Sequence, residues 1–283
     1  MKRIFLMVIG LSALLLAEEN VGDSWAVTTD VSYSRYNLDL QGSSHMKAIA
    51  YDVSEGTVAI SRTTAPWTYG LSYRGIVDEI STNSSIPRTG GKDRATIDRD
   101  ELFFSLSYLF DIENFTNILF AKSEHREEVG QERVSLNMIL YNSSLNAYNQ
   151  FDIGNSFKQT YKYDTQGAKL SLHYKLTPNN DIYKFWLFGG LLYTHADLKF
   201  DEYENGSLRP RYVDSSADEF GGNLGFAFTY DINRNMVFKL IGDWYNVDFG
   251  EVDVYSRSTE QVVDTAKFQE TASSIRMGVA YKF

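Results

Sequence analysis

The chain of 283 residues contains no cysteine and only four prolines. The lack of cysteine excludes a lipid-anchored lipoprotein, a disulfide-stapled scaffold and thiol catalysis. No stretch of the sequence is long and apolar enough to cross a bilayer as a helix, which takes about 20 residues. A membrane-embedded chain of this kind must therefore be a closed β-barrel, the other structure that pairs every backbone group internally.

The first 17 residues have the pattern of a secretory signal peptide. Lys2 and Arg3 precede an apolar stretch, Ile4–Leu16, which ends at Ala17 before the acidic Glu18. A charged start, a short apolar centre and a small residue at the end are typical of export signals. We expect cleavage after Ala17, a barrel domain over residues 18–283, and localisation in the outer membrane of a Gram-negative bacterium.

The charge of the chain is strongly acidic. The formal net charge of −10 becomes −12 after cleavage, because Lys2 and Arg3 are the only charged residues before Glu18. An acidic chain has no general excess of basic charge for binding nucleic acid. Mean hydropathy is that of a soluble protein, as expected when half of each strand faces a polar lumen.

The last nine residues alternate in the manner of a strand with one apolar face. The apolar positions are Ile275, Met277, Val279, Tyr281 and Phe283. This ending resembles the C-terminal strand of bacterial outer-membrane β-barrels, which typically close on an aromatic residue. The resemblance implies that the barrel-assembly machinery recognises this end of the chain.

Short polar turns alternate with longer polar segments along the rest of the sequence. The short turns are predicted at Thr64–Pro66, Asp111–Asn114, Thr177–Asp181 and Asp231–Asn235. The longer segments, predicted to be extracellular loops, are Asn37–Ala50, Ser81–Ile97, Glu127–Tyr163, Asp197–Asp218 and Gly250–Lys267. Short turns at one end and long loops at the other are typical of transmembrane barrels.

This arrangement predicts an all-β, antiparallel, up-and-down transmembrane barrel of about ten strands. The predicted strands are 24–35, 50–63, 67–79, 100–110, 115–126, 164–176, 182–196, 219–230, 236–248 and 269–283. Alternating apolar residues between Val134 and Leu140 leave twelve strands as an alternative.

Charged side chains recur on the face opposite the apolar one, and they are predicted to line the lumen. The lumen-lining candidates are Asp30, Arg74, Glu101, Lys169, His173, Lys239, Asp243 and Arg276. A lumen of this size is almost filled by its own side chains. The charges therefore form either a paired polar core, because buried charges need partners, or a narrow path that selects small solutes.

One histidine invites a catalytic interpretation. His195 and Asp197 share a face at the top of the seventh strand, and the acidic Asp78 lies at the top of the third. The architecture resembles that of omptins, ten-stranded outer-membrane proteases that activate water with acidic residues and an Asp–His pair on the extracellular rim. The chain departs from that family because it lacks the Asp-Glu-His rim sequence and its pair runs His-x-Asp. His195, Asp197 and Asp78 are therefore weak catalytic candidates. The alternative interpretation of His195 is an ordinary solvated histidine at the rim.

Basic residues in the predicted loops suggest a lipid partner. Guanidinium groups bind phosphate well, so lipopolysaccharide is a candidate ligand for Arg88, Lys92, Arg94 and Arg99 around the second loop and for Arg209 and Arg211 in the fourth. Ordinary solvated loop charges explain them equally well. Outer-membrane lipid is the other expected partner, and the sequence predicts no cofactor or metal site.

Three functions remain open on this evidence. The first, which is the leading hypothesis, is a narrow porin-like channel for small solutes. The second is a surface-exposed adhesin or interaction barrel with a sealed lumen. The third is an omptin-like protease.

Overall fold

A computed structural model describes residues 23–42, 49–84, 94–112, 132–153, 155–176 and 182–283. The described residues form ten strands: β1 (Asp23–Gly42), β2 (Ile49–Thr64), β3 (Trp67–Ser84), β4 (Arg94–Ile112), β5 (Glu132–Ile153), β6 (Asn155–Lys175), β7 (Tyr183–Glu204), β8 (Ser207–Asp231), β9 (Met236–Ser256) and β10 (Val262–Lys282). No helix in these ranges is long and apolar enough to span a membrane. The predicted signal peptide lies outside the described residues.

Every strand pairs antiparallel with its neighbours in sequence, and β10 closes the barrel on β1. The closure is completed by the last residue, since Trp25 and Phe283 exchange backbone hydrogen bonds of 3.1 and 3.0 Å. The predicted ten-stranded, up-and-down barrel is confirmed. We call the end that carries the β2–β3 and β8–β9 turns the lower end, and the opposite end the upper end.

The predicted loops at the upper end are largely wrong. The segment Asp197–Asp218 is a continuous hairpin that reverses at Asn205-Gly206, and β9 and β10 occupy most of Gly250–Lys267. The strands reach 16 to 25 residues, whereas crossing a bilayer takes about 9–11. The barrel wall therefore continues far beyond the length that a membrane requires.

The fifth strand also differs from its prediction. Residues 115–126 lie outside the described residues, and the strand that pairs with β4 is β5, with Ile112 opposite Glu132. Alternation between Val134 and Leu140 belongs to this strand, which continues to Ile153. The predicted turns at Thr64–Pro66 and Asp231–Asn235 are confirmed, while Thr177–Asp181 lies outside the described residues.

Halfway up the strands, apolar and polar side chains exchange between the inner and outer faces of the barrel. On the lower part of β1, Ser32 and Ser34 point inward and Val31 points outward; on the upper part, Leu38 points inward and Arg35 outward. The two-residue period of the strand continues without a break. The lower half is therefore apolar outside and polar inside, and the upper half is the reverse.

Lower-half strands present an apolar band to the surroundings. Its members include exposed Leu71, Phe104, Leu140, Leu172, Leu187, Leu224, Ile275 and Met277. Exposed aromatic side chains border the band: Trp67, Tyr69, Tyr183, Tyr230 and Tyr281 lie at its lower edge, and Tyr33, Tyr193 and Trp244 at its upper edge. Apolar bands between two aromatic girdles are the outer surface of a transmembrane barrel.

Candidate functional site

An apolar core fills the barrel in its upper half, and we call it the plug. Every strand contributes to it, β3 through the half-buried Ile76 and the other nine through buried side chains. The buried members are Tyr36, Leu38, Leu40, Tyr51, Val53, Ile97, Leu145, Ala147, Tyr161, Tyr163, Ala196, Leu198, Phe200, Val213, Val247, Phe249, Val252, Val254, Ala266, Phe268 and Ala272.

Aromatic rings close the centre of the plug. Tyr161 packs on Phe200 with ring centroids 4.7 Å apart, and Phe249 stacks on Phe268 at 5.1 Å. Tyr163 meets Phe268 edge-on at 5.3 Å. Rings packed at these distances leave interiors as dense as those of soluble proteins. The described side chains therefore form a packed, largely apolar layer in the upper lumen.

Directly below the plug lies a buried ionic network centred on Arg99. Its Nη1 donates to Glu270 Oε1 at 2.7 Å and its Nε to Glu101 Oε1 at 3.1 Å, while its guanidinium carbon lies 4.3 Å from the Tyr36 ring centroid. The hydroxyls of Tyr163 and Tyr245 both donate to Glu270 at 2.8 Å. Each charge in this layer thus has several partners, as burial of ions requires.

A second part of the same network surrounds Glu55. Tyr36 donates to this carboxylate at 2.7 Å and Ser34 at 2.5 Å. Arg74 lies 3.9 Å from Glu55 and is hydrogen-bonded to Glu101. Because Tyr36 and Tyr163 belong to the plug, the plug and the ionic network form one continuous structure.

A cavity of about 210 Å³ lies beside the network. Its lower wall carries Asp243, with Lys169 Nζ at 3.9 Å and Arg276 Nη2 at 3.8 Å from the carboxylate. These separations are longer than hydrogen bonds. The arrangement is a chamber below the plug whose wall carries loosely paired charges.

The structure places the predicted lumen-lining residues on the inner face, at several heights. Arg74 and Glu101 belong to the network, and Lys169, Asp243 and Arg276 line the chamber wall. His173 stacks on Phe188 with centroids 4.6 Å apart, and Lys239 donates to Thr28 at 3.2 Å. Asp30 pairs in register with Gly278 of β10.

His195 and Asp197 lie on the outer wall of the upper half. His195 Nδ1 is 2.9 Å from Asp218 Oδ1 and its Nε2 is 3.9 Å from Asp197. Hydrogen bonds from Tyr193 and His195 hold the pKa of Asp218 below its ordinary value. The exposed Asp78 belongs to β3, which three strands separate from β7 around the barrel. The three catalytic candidates are thus not brought together at one site.

The basic residues that were predicted to lie in solvated loops have different surroundings in the structure. Arg99, predicted to lie at the second loop, is 3% exposed inside the barrel, so its assignment to lipopolysaccharide binding is wrong. Arg209 pairs with Glu202 at 3.2 Å and Glu204 at 3.1 Å, and Arg211 with Asp264 at 3.4 Å. Arg88 and Lys92 lie outside the described residues, and the side chain of Arg94 is not described.

The upper rim presents apolar and aromatic side chains beside these arginines. Leu208, Val262 and Val263 are each about half exposed. Tyr212 and Tyr255 stack with centroids 5.6 Å apart, and Arg257 lies over the Tyr212 ring at 4.6 Å. We call this surface, formed by the starts of β8 and β10 and the end of β9, the rim patch.

The sequence analysis missed both the plug and the rim patch. The signal for the plug was present, because alternation continues through Tyr36, Leu38 and Leu40 with polar residues between them. The signal for the hairpin that carries part of the rim patch was Asn205-Gly206, a dipeptide that favours two-residue hairpin turns. Both residues have the positive φ that such a turn requires, 49° and 79°.

Comparisons with known proteins concern the fold. No protein-family model matches the chain, and no curated protein is significantly similar in sequence. Among solved structures, the outer membrane protease OmpT from Escherichia coli is similar with a TM-score of 0.58 and 8% identity, over 95% of this chain and 99% of that one. The translocator domain of the autotransporter NalP from Neisseria meningitidis has a TM-score of 0.49 and 11% identity, over 99% and 96%. The first likeness shows that the chain has the omptin-like, ten-stranded fold of an outer-membrane barrel.

Proposed function

We propose that this protein is a surface-exposed interaction barrel of the bacterial outer membrane, exported with a cleaved signal peptide. Its lumen is sealed, its lower half is the membrane anchor, and its upper half carries a binding surface above the membrane. Among the three candidate functions, this one agrees best with the geometry inside and outside the barrel.

The observation that carries the proposal is the plug. A conducting path needs polar groups or water along its whole length, whereas the upper lumen is packed with buried apolar and aromatic side chains. Packing of the plug stabilises the upper half as a rigid extracellular structure, whereas the same packing would obstruct a channel.

The rim patch supports the second half of the proposal. Tyrosine and arginine are the residues that dominate binding energy at protein interfaces, and exposed apolar groups beside them form the buried centre of such interfaces. Tyr212, Arg257 and Leu208 offer this combination on the upper half of the barrel, above the apolar band. The partner class that fits the patch is a folded protein surface.

The omptin-like alternative has weaker support. His195 and its two carboxylate neighbours lie on the outer wall. The similarity to the protease is a similarity of fold, with only 8% sequence identity. A shared fold carries no information about catalytic residues.

The test displays the barrel on cells that lack it and measures their binding to a panel of immobilised purified extracellular proteins. We expect binding to at least one panel member, lost on replacing both Leu208 and Val262 by serine. The matched control is Ile232→Ser, an exposed aliphatic residue of the lower turn. Binding that is insensitive to the rim change, or swelling of liposomes in small solutes through the wild-type barrel, would contradict the proposal.

A further inference from the structure

A groove of about 510 Å³ runs over the outer wall of β1 to β4 near the lower end of the barrel. Its walls are the side chains of Trp25, Ile60, Arg62, Tyr69, Leu71 and Phe104, with Ser61, Thr64 and Gly70 beside them. It is separate from the chamber and from the rim patch. Its position on the lipid-facing side makes the surrounding bilayer its natural source of ligand.

The strand register arranges the groove in two rows. Trp25, Arg62 and Tyr69 are direct cross-strand neighbours in the lower row, and Ile60, Leu71 and Phe104 are neighbours in the row above it. The rows are two residues apart along each strand, or about 7 Å. The groove therefore has a cationic end at the aromatic girdle and an apolar end within the apolar band.

Arg62 is exposed and held between aromatic residues. Its guanidinium carbon lies 5.6 Å from the centroid of the Trp25 ring, and Tyr69 is its partner on the other side. Tryptophan and tyrosine at a membrane interface lie at the level of the lipid head groups. An arginine in that row is placed where phosphate groups are, and its planar fork matches phosphate oxygens.

We propose that this groove binds one phospholipid of the membrane leaflet nearest the lower end. The lipid phosphate pairs with the Arg62 guanidinium, and one acyl chain lies against Ile60, Leu71 and Phe104. This inference rests on the membrane placement of the barrel and is independent of the rim patch and of the sealed lumen. A polypeptide occupant fits less well, because the groove joins one cation to a row of apolar side chains and its strands are all paired with their neighbours.

Native mass spectrometry of the purified, folded barrel in detergent tests the proposal. The probe is dioleoyl phosphatidylglycerol, and dioleoylglycerol, which lacks the phosphate, is its matched control. Three variants are compared with the wild type: Arg62→Gln removes the cation, Ile60→Trp fills the apolar row, and Arg234→Gln removes an exposed cation of the lower turn outside the groove. Heat-modifiable electrophoretic mobility confirms that each variant is folded.

The wild type is expected to retain one phosphatidylglycerol that survives activation. Arg62→Gln should weaken its apparent affinity about fivefold, as expected for the loss of one basic contact to a lipid head group. Ile60→Trp should weaken it although the cation remains, and Arg234→Gln should match the wild type. Equal retention by the wild type and both groove variants would overturn the proposal, as would equal losses in Arg62→Gln and Arg234→Gln or equal retention of dioleoylglycerol. If Arg62→Gln does not fold, Ile60→Trp against Arg234→Gln decides the result.

Discussion

Arg99 and Glu270 form a 2.7 Å ion pair inside the barrel although they are 171 residues apart in the chain. They belong to β4 and β10, which are separated by three strands around the wall. The pair therefore crosses the lumen at the base of the plug. A bridge at this level fixes opposite walls relative to each other.

The first prediction concerns the contribution of this ion pair to the free energy of unfolding. Glu270→Gln keeps the shape of the side chain but leaves Arg99 short of a charged partner in a buried place, so we expect a loss of roughly 3–5 kcal/mol. Denaturant unfolding in detergent, followed by tryptophan fluorescence, measures it. The matched control is Asp214→Asn, which breaks the exposed 3.1 Å pair with Lys199 and should cost about 1 kcal/mol or less. Equal losses in the two variants would contradict the role of the network.

A second prediction locates the membrane on the barrel wall. Leu172 and Gln166 lie on the same outer face of β6, one within the apolar band and one above it. Leu172→Lys should destabilise the barrel in lipid by roughly 2–4 kcal/mol, because a lysine then faces hydrocarbon near the midplane. Gln166→Lys should be nearly neutral. Unfolding from lipid vesicles provides both values, and a similar cost at the two positions would show that the proposed boundary is misplaced.

Much of the fold could be predicted from local sequence patterns. The alternation that ends at Phe283, the turn at Thr64–Pro66 and the lipid-facing side of the lower strands need only neighbouring residues to be recognised. The upper parts of the strands were not predicted, for a physical reason. Their outward residues, such as Arg35 and Lys199, face water, so these segments have the composition of loops. The apolar residues between them, such as Leu38, were the evidence that these segments are strands.

The candidate site was less accessible to prediction. The alternation of side chains along each strand identified Arg74, Glu101 and Asp243 as inward-facing. No local pattern indicates that Arg99 contacts Glu270 or that Tyr163 belongs to the same network. Such contacts follow from closure of the barrel, which brings distant strands to one height. The sequence alone therefore left both a paired core and an open path as interpretations of the same charges.

The third prediction concerns the pH dependence of the outer-wall histidine cluster. Hydrogen bonds from Tyr193 and His195 favour the charged form of Asp218 and lower its pKa from the ordinary 3.8. The stabilisation is therefore present above the unfolded pKa and is lost as the pH falls through the lower folded value. Carboxyl carbon NMR should show the Asp218 signal, identified by its absence in Asp218→Asn, titrating below pH 3.8. A midpoint at or above that value would contradict the hydrogen-bonded geometry.

The proposed sealed lumen is tested directly by the ionic conductance of the folded protein in a planar lipid bilayer. The wild type should show no steady open level, because the plug fills the upper lumen. A variant with alanine at Tyr161, Phe200 and Phe268 removes three of its central rings, and it should conduct if it retains heat-modifiable mobility. A steady conductance of the wild type that selects ions, and that Arg276→Gln alters without unfolding the barrel, would contradict the sealed lumen and restore the channel.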